Sequence, residues 1–390
     1  MQREILYTFV VKVNPCDMNP FVLNSYSGPE FFCDREEETE MLLKNIENRS
    51  NTAIFSQRRM GKTALVKHVF HFLEKKKGII PVYLDIYPTS NLKEFSDALS
   101  TAIYNVFPIH ATIGRKFWEH LKLLRPVVTV NTLSGAPELS LDISSPEQIE
   151  KTIPQLFSFL TQQNSHVVIA IDEFQQILSY PEKRVEALLR TTIQGLNNVS
   201  FLFLGSDRTL MSEIFNSAKR PFYASSKYLI LDQISAASYQ LFIEKAFVRS
   251  GVMVDDGAIK KILDSTQRHT FYTQLLCHEI FSDNISHLKE ETVIRTLYKI
   301  IKQYEPVFFQ YRSLLTHSQW KVLKAVAAEE KVVKPYSQDF IKKYDLNSSS
   351  NVKRSLDALT EKSIVYHNMS IKEPFYEVED KFLMRWLQNN

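Results

Sequence analysis

The segment Ser56-Gln57-Arg58-Arg59-Met60-Gly61-Lys62-Thr63 constrains this chain more than any other stretch. It follows the apolar run Thr52-Ala53-Ile54-Phe55 and precedes a helix-like segment from Ala64 to Leu73. Strand, loop, Gly-Lys-Thr and helix in that order describe a phosphate-binding loop. Backbone N–H groups from Ser56 to Ala64 would face the phosphates, Lys62 would add a mobile positive charge, and Thr63 would offer a hydroxyl to Mg²⁺. The pattern usually opens on glycine. Ser56 in that place predicts a bend made at some φ/ψ cost. Gly-Lys-Thr alone also fits a plain exposed basic loop, so the weight rests on the flanking strand and helix.

A second motif strengthens the reading. His166-Val167-Val168-Ile169-Ala170-Ile171-Asp172-Glu173-Phe174 is a β-rich apolar run that ends in two adjacent carboxylates. It predicts a buried parallel strand with acids at its C-terminal edge. Open α/β sheets bind ligands at that edge, which would bring Asp172 and Glu173 beside the loop. Asp172 would then hold Mg²⁺ and Glu173 would orient or activate an attacking water. The competing reading makes Asp172 a simple cap of the next helix.

The chain has 390 residues, more than one compact core usually holds, so two or three domains are expected. A hydrophobic content of 44% excludes a mainly disordered chain, and a net charge of +3 is too mild to argue for a polyanionic partner. Cys16, Cys33 and Cys277 are far apart and form no Cys-x-x-Cys pair. They read as free thiols of a reducing compartment. No apolar run reaches about 18 residues, and the first residues are too interrupted for a signal peptide, so a cytoplasmic protein without membrane association is expected.

The pattern along the chain predicts an α/β fold: a nucleotide-binding core with a parallel sheet and flanking helices, then a helical domain, then a winged helix-turn-helix. The expected boundaries are 1–30 for an N-terminal arm rich in Pro, Asn and Ser, 31–235 for the core, 236–305 for the helical domain and 306–390 for the winged helix. In the core, Asp34 is a plausible N-cap for a helix carrying Met41, Leu42, Leu43 and Ile46. Strands are predicted at 81–86, 166–172, 200–206 and 227–231, and a hairpin from 127–131 and 139–143 flanks Ser134-Gly135-Ala136-Pro137. Three helices within 315–361 followed by strands near 363–367 and 375–378 make the winged-helix pattern.

Taken together, these motifs resemble prokaryotic, archaeal-type ATPases of the AAA+/STAND branch of P-loop NTPases, which carry a C-terminal winged helix. Phe32-Cys33-Asp34-Arg35-Glu36-Glu37-Glu38 matches a family segment that packs near the adenine, with Cys33 where glycine is common. The resemblance therefore implies that Arg35 lies at the nucleotide. Gly205-Ser206-Asp207-Arg208 resembles the sensor 1 strand, which would make Ser206 a hydrogen-bond donor between the acids and the γ-phosphate. Arg208 or Arg220 could supply charge to the phosphates of the same or a neighbouring subunit of a homo-oligomer; taken singly, each reads as a solvated surface charge. His269-Thr270-Phe271-Tyr272 is similar to the family's lid motif, with Thr270 where proline is usual. Taken alone, His269 reads as a structural histidine. The family implies ATP and Mg²⁺ as ligands, and no Asn-Lys-x-Asp pattern for guanine is present.

Between Lys331 and Lys362 stand seven basic and four acidic residues, a modest excess. Ser348 to Asn351, Lys353 and Arg354 are residue types that contact phosphates and base edges when a helix enters the major groove. The same helix could equally serve a protein partner or internal packing. Three functions stay open from sequence: an ATPase switch with Lys62, Glu173, Ser206 and Arg208 as its catalytic set, a DNA-binding regulator in which nucleotide is structural, and a scaffold or defence-type sensor.

Overall fold

The computed structural model describes residues 19–23, 26–107, 119, 126–130, 135, 137–142, 145–369 and 373–390. Most of the expected arm over 1–30, and the tip of the expected hairpin, lie outside the described residues. The chain divides into two compact units, one within Ser25–Gln233 and the other comprising Ile234–Asn390 with the N-terminal residues.

The first unit runs α1 (Glu36–Glu47), β1 (Thr52–Phe55), α2 (Lys62–Leu73), β2 (Ile79–Asp85), α3 (Leu92–Val106), β3 (Pro126–Val130), β4 (Pro137–Leu141), α4 (Pro146–Thr161), β5 (His166–Asp172), α5 (Val185–Gln194), β6 (Val199–Gly205), α6 (Arg208–Asn216) and β7 (Lys227–Ile230). Five of these strands form one parallel sheet in the order β2-β5-β6-β1-β7. β3 and β4 pair antiparallel as a hairpin, with Pro126 opposite Leu141.

The centre of the sheet is buried on both faces, which is why β5 and β6 are continuous apolar runs rather than alternating ones. Alternation survives in which side each residue serves. Ile169, Ile171, Phe201 and Phe203 join the core beneath α3, α4, α5 and α6. Val168, Ala170, Leu202 and Leu204 join Leu42, Ile46, Leu65, Val66 and Val69 of α1 and α2 on the opposite face. Each such buried Leu, Ile or Phe contributes about 1.5–3 kcal/mol.

Two local features position the site. Asp207 caps α6 by accepting from the Leu210 amide. Gly205, immediately before the turn, is required by space: a Cβ there would lie 2.2 Å from Met211 Cγ and 2.7 Å from Gln175 Oε1. At α1 the expected cap is corrected. Asp34 and Arg35 both adopt left-handed backbone (φ 61° and 78°), the helix starts one residue later, and Arg35 is its N-cap without a side-chain cap bond.

The second unit holds α7 (Ala236–Arg249), β8 (Met253–Val254), α8 (Asp256–Thr266), α9 (Thr270–Ser282), β9 (His287–Leu288) and α10 (Glu290–Leu314). It continues with α11 (His317–Glu329), α12 (Gln338–Lys343), α13 (Ser349–Glu361), β10 (Val365–Asn368), β11 (Phe375–Val378) and α14 (Lys381–Asn389). β10 and β11 pair antiparallel, giving the three helices and short hairpin of a winged helix. The terminal helix α14, absent from the sequence-based expectation, ties this segment to the preceding helices. Arg385 donates to Ser265 O (3.0 Å) and Asp264 O (2.5 Å) at the end of α8 and pairs with Glu330. Glu330 in turn accepts from Gln267 at 3.0 Å. Among the described residues no helix is long and apolar enough to cross a membrane.

Candidate nucleotide site

The sheet order decides which strand ends meet. β6 lies between β5 and β1, so the carboxyl end of β6 falls between the acids that end β5 and the loop that follows β1. Ser206 follows β6 directly.

The loop itself bends at Arg59 (φ 59°) and Gly61 (φ 93°), both left-handed. Ser56, expected to carry the backbone cost of a missing glycine, is not among the residues with positive φ. The bend lies further along the loop, and serine is accommodated without strain. Ser56, Gln57 and Met60 are buried and anchor the loop, whereas Arg58 and Arg59 are exposed. α2 begins at Lys62, so the N–H groups of Lys62, Thr63 and Ala64 lie in its first turn, where no intrahelical acceptor exists for them.

Lys62 is 5% exposed, and its Nζ donates to Ser56 Oγ at 3.1 Å. Burial pushes its pKa below the ordinary lysine range; the Glu173 and Asp172 carboxylates pull it back up, while Arg58 and Arg208 add to the lowering. The ammonium is therefore a desolvated cation beside two acids and two further cations, an arrangement that favours an added anion.

Asp172 does not act as a simple helix cap. Its Oδ2 accepts from Thr63 Oγ1 at 2.6 Å and from Tyr83 OH at 2.6 Å, and its Oδ1 accepts from the Glu173 amide at 3.0 Å. Tyr83, on β2, is a site residue the sequence reading did not single out; its position one strand over from Asp172 follows from the β2–β5 register. Burial first, then the Asp172 carboxylate, raises its phenol pKa far above the ordinary value. Asp85, opposite Asp172 in the same register, is likewise raised by burial and by the Asp172 and Glu173 charges.

Glu173 holds a left-handed conformation (φ 56°) uncommon for a non-glycine residue. Its Oε2 accepts from Ser206 Oγ at 2.6 Å and from Gln175 Nε2 at 2.5 Å. Arg208 reaches Asp232 Oδ1 at 3.0 Å and is near enough to Lys62 to lower its pKa. Arg35 is buried, pairs with Glu38 at 2.6 Å and donates to Asp232 O at 2.5 Å. Arg220 is held elsewhere, by Glu186 (2.6 Å) and Glu213. His269 is buried at the start of α9 in the other unit, its ring 4.8 Å from that of Tyr272.

A hard divalent cation fits this donor set. Mg²⁺ is ordinarily held by one or two protein oxygens while phosphates and water complete its shell, and the Thr63 hydroxyl and Asp172 carboxylate already converge at 2.6 Å. Among the described residues there is no cluster of three or more His, Cys, Asp or Glu side chains suited to a metal cage.

Residues 32–251, more than half of the chain, match the family described as an ATPase domain predominantly from Archaea. The chain belongs to this archaeal-type ATPase family. Residues 306–389 of the chain match a second family, described as a probable winged helix domain. Its fold is similar to that of a Walker-type ATPase of Pyrococcus abyssi, with a TM-score of 0.64 at 16% identity over 95% of this chain and 99% of that one. It is also similar to the ORC2 protein of Aeropyrum pernix, solved with ADPNP and ADP, with a TM-score of 0.55 at 15% identity over 95% and 97% of the two chains. The ORC1 protein of the same organism, solved in complex with DNA, gives 0.50 at 13% identity over 93% of each. No curated protein matches the chain. The chain thus has the parallel-sheet core with flanking helices, the helical region and the C-terminal winged helix that its sequence predicts.

The buried Lys62 generates a stability prediction. Because its folded pKa lies below the unfolded value, the unfolded chain binds more protons between the two, and this residue's contribution to stability rises with pH across that alkaline window. Lys62→Met removes the desolvated charge. Thermal unfolding of the unliganded variant is expected to occur about 2–4 °C above wild type at neutral pH, the shift that ~1 kcal/mol gives. A lower melting temperature would mean that the Ser56 hydrogen bond outweighs the desolvation.

Proposed function

We propose that the protein is an ATP-hydrolysing switch of the AAA+/STAND kind, in which nucleotide state is relayed through the helical segment to the winged helix. The reading is carried by one observation: the Thr63 hydroxyl, the Asp172 carboxylate and the Glu173–Ser206 pair converge where the loop after β1 faces the ends of β5 and β6. The loop amides from Ser56 to Ala64 and Lys62 bind the phosphates of ATP, and the charge of Lys62 is compensated when they arrive. We assign Arg35 to the purine side because its segment resembles the family segment that packs near the adenine. Thr63 and Asp172 would hold Mg²⁺, which when bound offsets negative charge on the phosphate oxygens. Glu173 orients the attacking water and accepts its proton, Ser206, standing between Glu173 and the γ-phosphate, donates its one hydroxyl hydrogen to Glu173, and Arg208 adds positive charge as negative charge shifts toward the leaving diphosphate. A relay to the winged helix is supported by the network of Arg385, Glu330 and Gln267, which joins the end of α8 to α11 and α14. In a homo-oligomer, a neighbouring copy would be a second source of arginine.

The test is steady-state ATP hydrolysis by wild type beside Glu173→Gln, with nucleotide binding measured in both. Hydrolysis is expected to fall by about 10²–10⁴-fold while binding persists. Equal turnover in the two proteins would remove Glu173 from the chemistry and the proposal with it.

A second reading makes the chain a DNA-binding regulator that keeps nucleotide as a structural ligand. It is supported by the exposure of Ser349, Ser350, Lys353 and Arg354 on α13 and by the likeness in fold to the ORC1 protein solved with DNA. It predicts duplex binding whose affinity falls steeply with salt, and the paired change Lys353→Ala and Arg354→Ala is expected to flatten the log–log slope by about 2. Fluorescence anisotropy across a salt series checks this. Binding that ignores salt, or that the double variant leaves unchanged, would favour a protein partner for the winged helix.

A further inference from the structure

We propose that Gln175 is a positioning residue for Glu173, aiming its carboxylate, an inference that rests on the reading of ATP hydrolysis at this site. Gln175 and Ser206 donate to the same oxygen, Glu173 Oε2, at 2.5 Å and 2.6 Å. With Oε2 taken by two donors, Oε1 is the oxygen left to receive a proton from water. Two converging donors also fix the carboxylate plane, which a left-handed backbone alone would not do.

What the Gln175 amide does not do supports a role at the site rather than in the fold. Its Oε1 is buried and has no hydrogen-bond partner among the described residues, so Glu173 receives the one hydrogen bond this side chain makes. The neighbouring Gln176 shows the contrasting use: its amide donates to Thr89 O at 3.0 Å, latching one loop to another. An unpartnered buried acceptor costs free energy, and a purely structural position would be filled more cheaply by an apolar side chain. Space for the amide comes from Gly205, whose missing Cβ would otherwise lie 2.7 Å from Gln175 Oε1. The amide orientation is dictated as well, since the reversed one would set a carbonyl oxygen against a carboxylate.

Removing the Gln175 donor should loosen the aim of the Glu173 carboxylate without touching the phosphate-binding loop. Gln175→Met keeps the length of the side chain and deletes the donor. The experiment measures kcat for ATP hydrolysis and, separately, nucleotide affinity for wild type, Gln175→Met, Ser206→Ala and Glu173→Gln. Gln175→Met is expected to lower kcat about tenfold or more with ATP affinity unchanged. Ser206→Ala, which removes the other donor to the same oxygen, should show the same split. If Gln175→Met fails to fold, Gln175→Asn, whose amide is one methylene too short to reach Glu173, carries the same expectation. A wild-type kcat in the Gln175 variant, or a loss of rate matched by weakened ATP affinity, would overturn the assignment while an inactive Glu173→Gln leaves the ATPase reading standing. If Glu173→Gln hydrolyses ATP like wild type, the ATPase reading fails, and this inference with it.

Discussion

The hydrogen bond from Thr63 to Asp172 is the contact on which the rest of the site depends. It joins the first turn of α2 to the end of β5, although β1 and β5 are not neighbours in the sheet. That contact exists because β6 is inserted between them and because parallel strands all present their carboxyl ends on one edge. Tyr83 adds a second donor to the same carboxylate oxygen from the opposite side, on β2. Asp172 is thereby held by groups from both flanks before any ligand arrives, which is the preorganisation that a charged site requires.

The same region carries costs that a purely structural sheet would avoid. Lys62 is desolvated, Arg59 and Glu173 adopt left-handed backbone, and the Gln175 carbonyl is buried without a partner. Such features persist where the surrounding packing over-determines them, and here that packing is the two-faced apolar core around Val168 to Ile171 and Phe201 to Leu204. A stable, layered sheet supports a strained edge. Binding an anion next to Lys62 would relieve part of that strain, so ligand affinity and unliganded stability are opposed at this residue.

Much of this was legible in the sequence, because strongly local signals carried it. Apolar runs bounded by Gly-Lys-Thr and by Asp-Glu mark β1, α2 and β5 with little ambiguity, and the three helices and hairpin of the winged helix follow from 3.6-residue and two-residue periodicities. What was missed depended on register or on contacts distant in sequence. Tyr83 looks like an ordinary strand residue until β2 pairs with β5 and places Asp85 opposite Asp172. Gln175 looks like a loop residue until Gly205, thirty positions later, opens the space it fills. Asp34 has the chemistry of a cap, yet the left-handed turn through Arg35 moves the helix start beyond it. Ser56 illustrates the reverse: a departure from the usual glycine that looked costly has no backbone consequence, because Arg59 and Gly61 make the bend. α14 went unread although Phe382, Leu383, Trp386 and Leu387 lie at helical spacing; what fixes it, Arg385 tying it to α8, is a contact distant in sequence.

The central claim is that Asp172, poised against Thr63, is the protein's hold on the divalent cation that accompanies ATP. Isothermal titration of ATP into wild type and Asp172→Ala, each with and without Mg²⁺, tests it most directly. The account predicts that Mg²⁺ tightens ATP binding to wild type and that this gain disappears in Asp172→Ala, while binding without the metal survives in both. An equal gain from Mg²⁺ in the two proteins would contradict it.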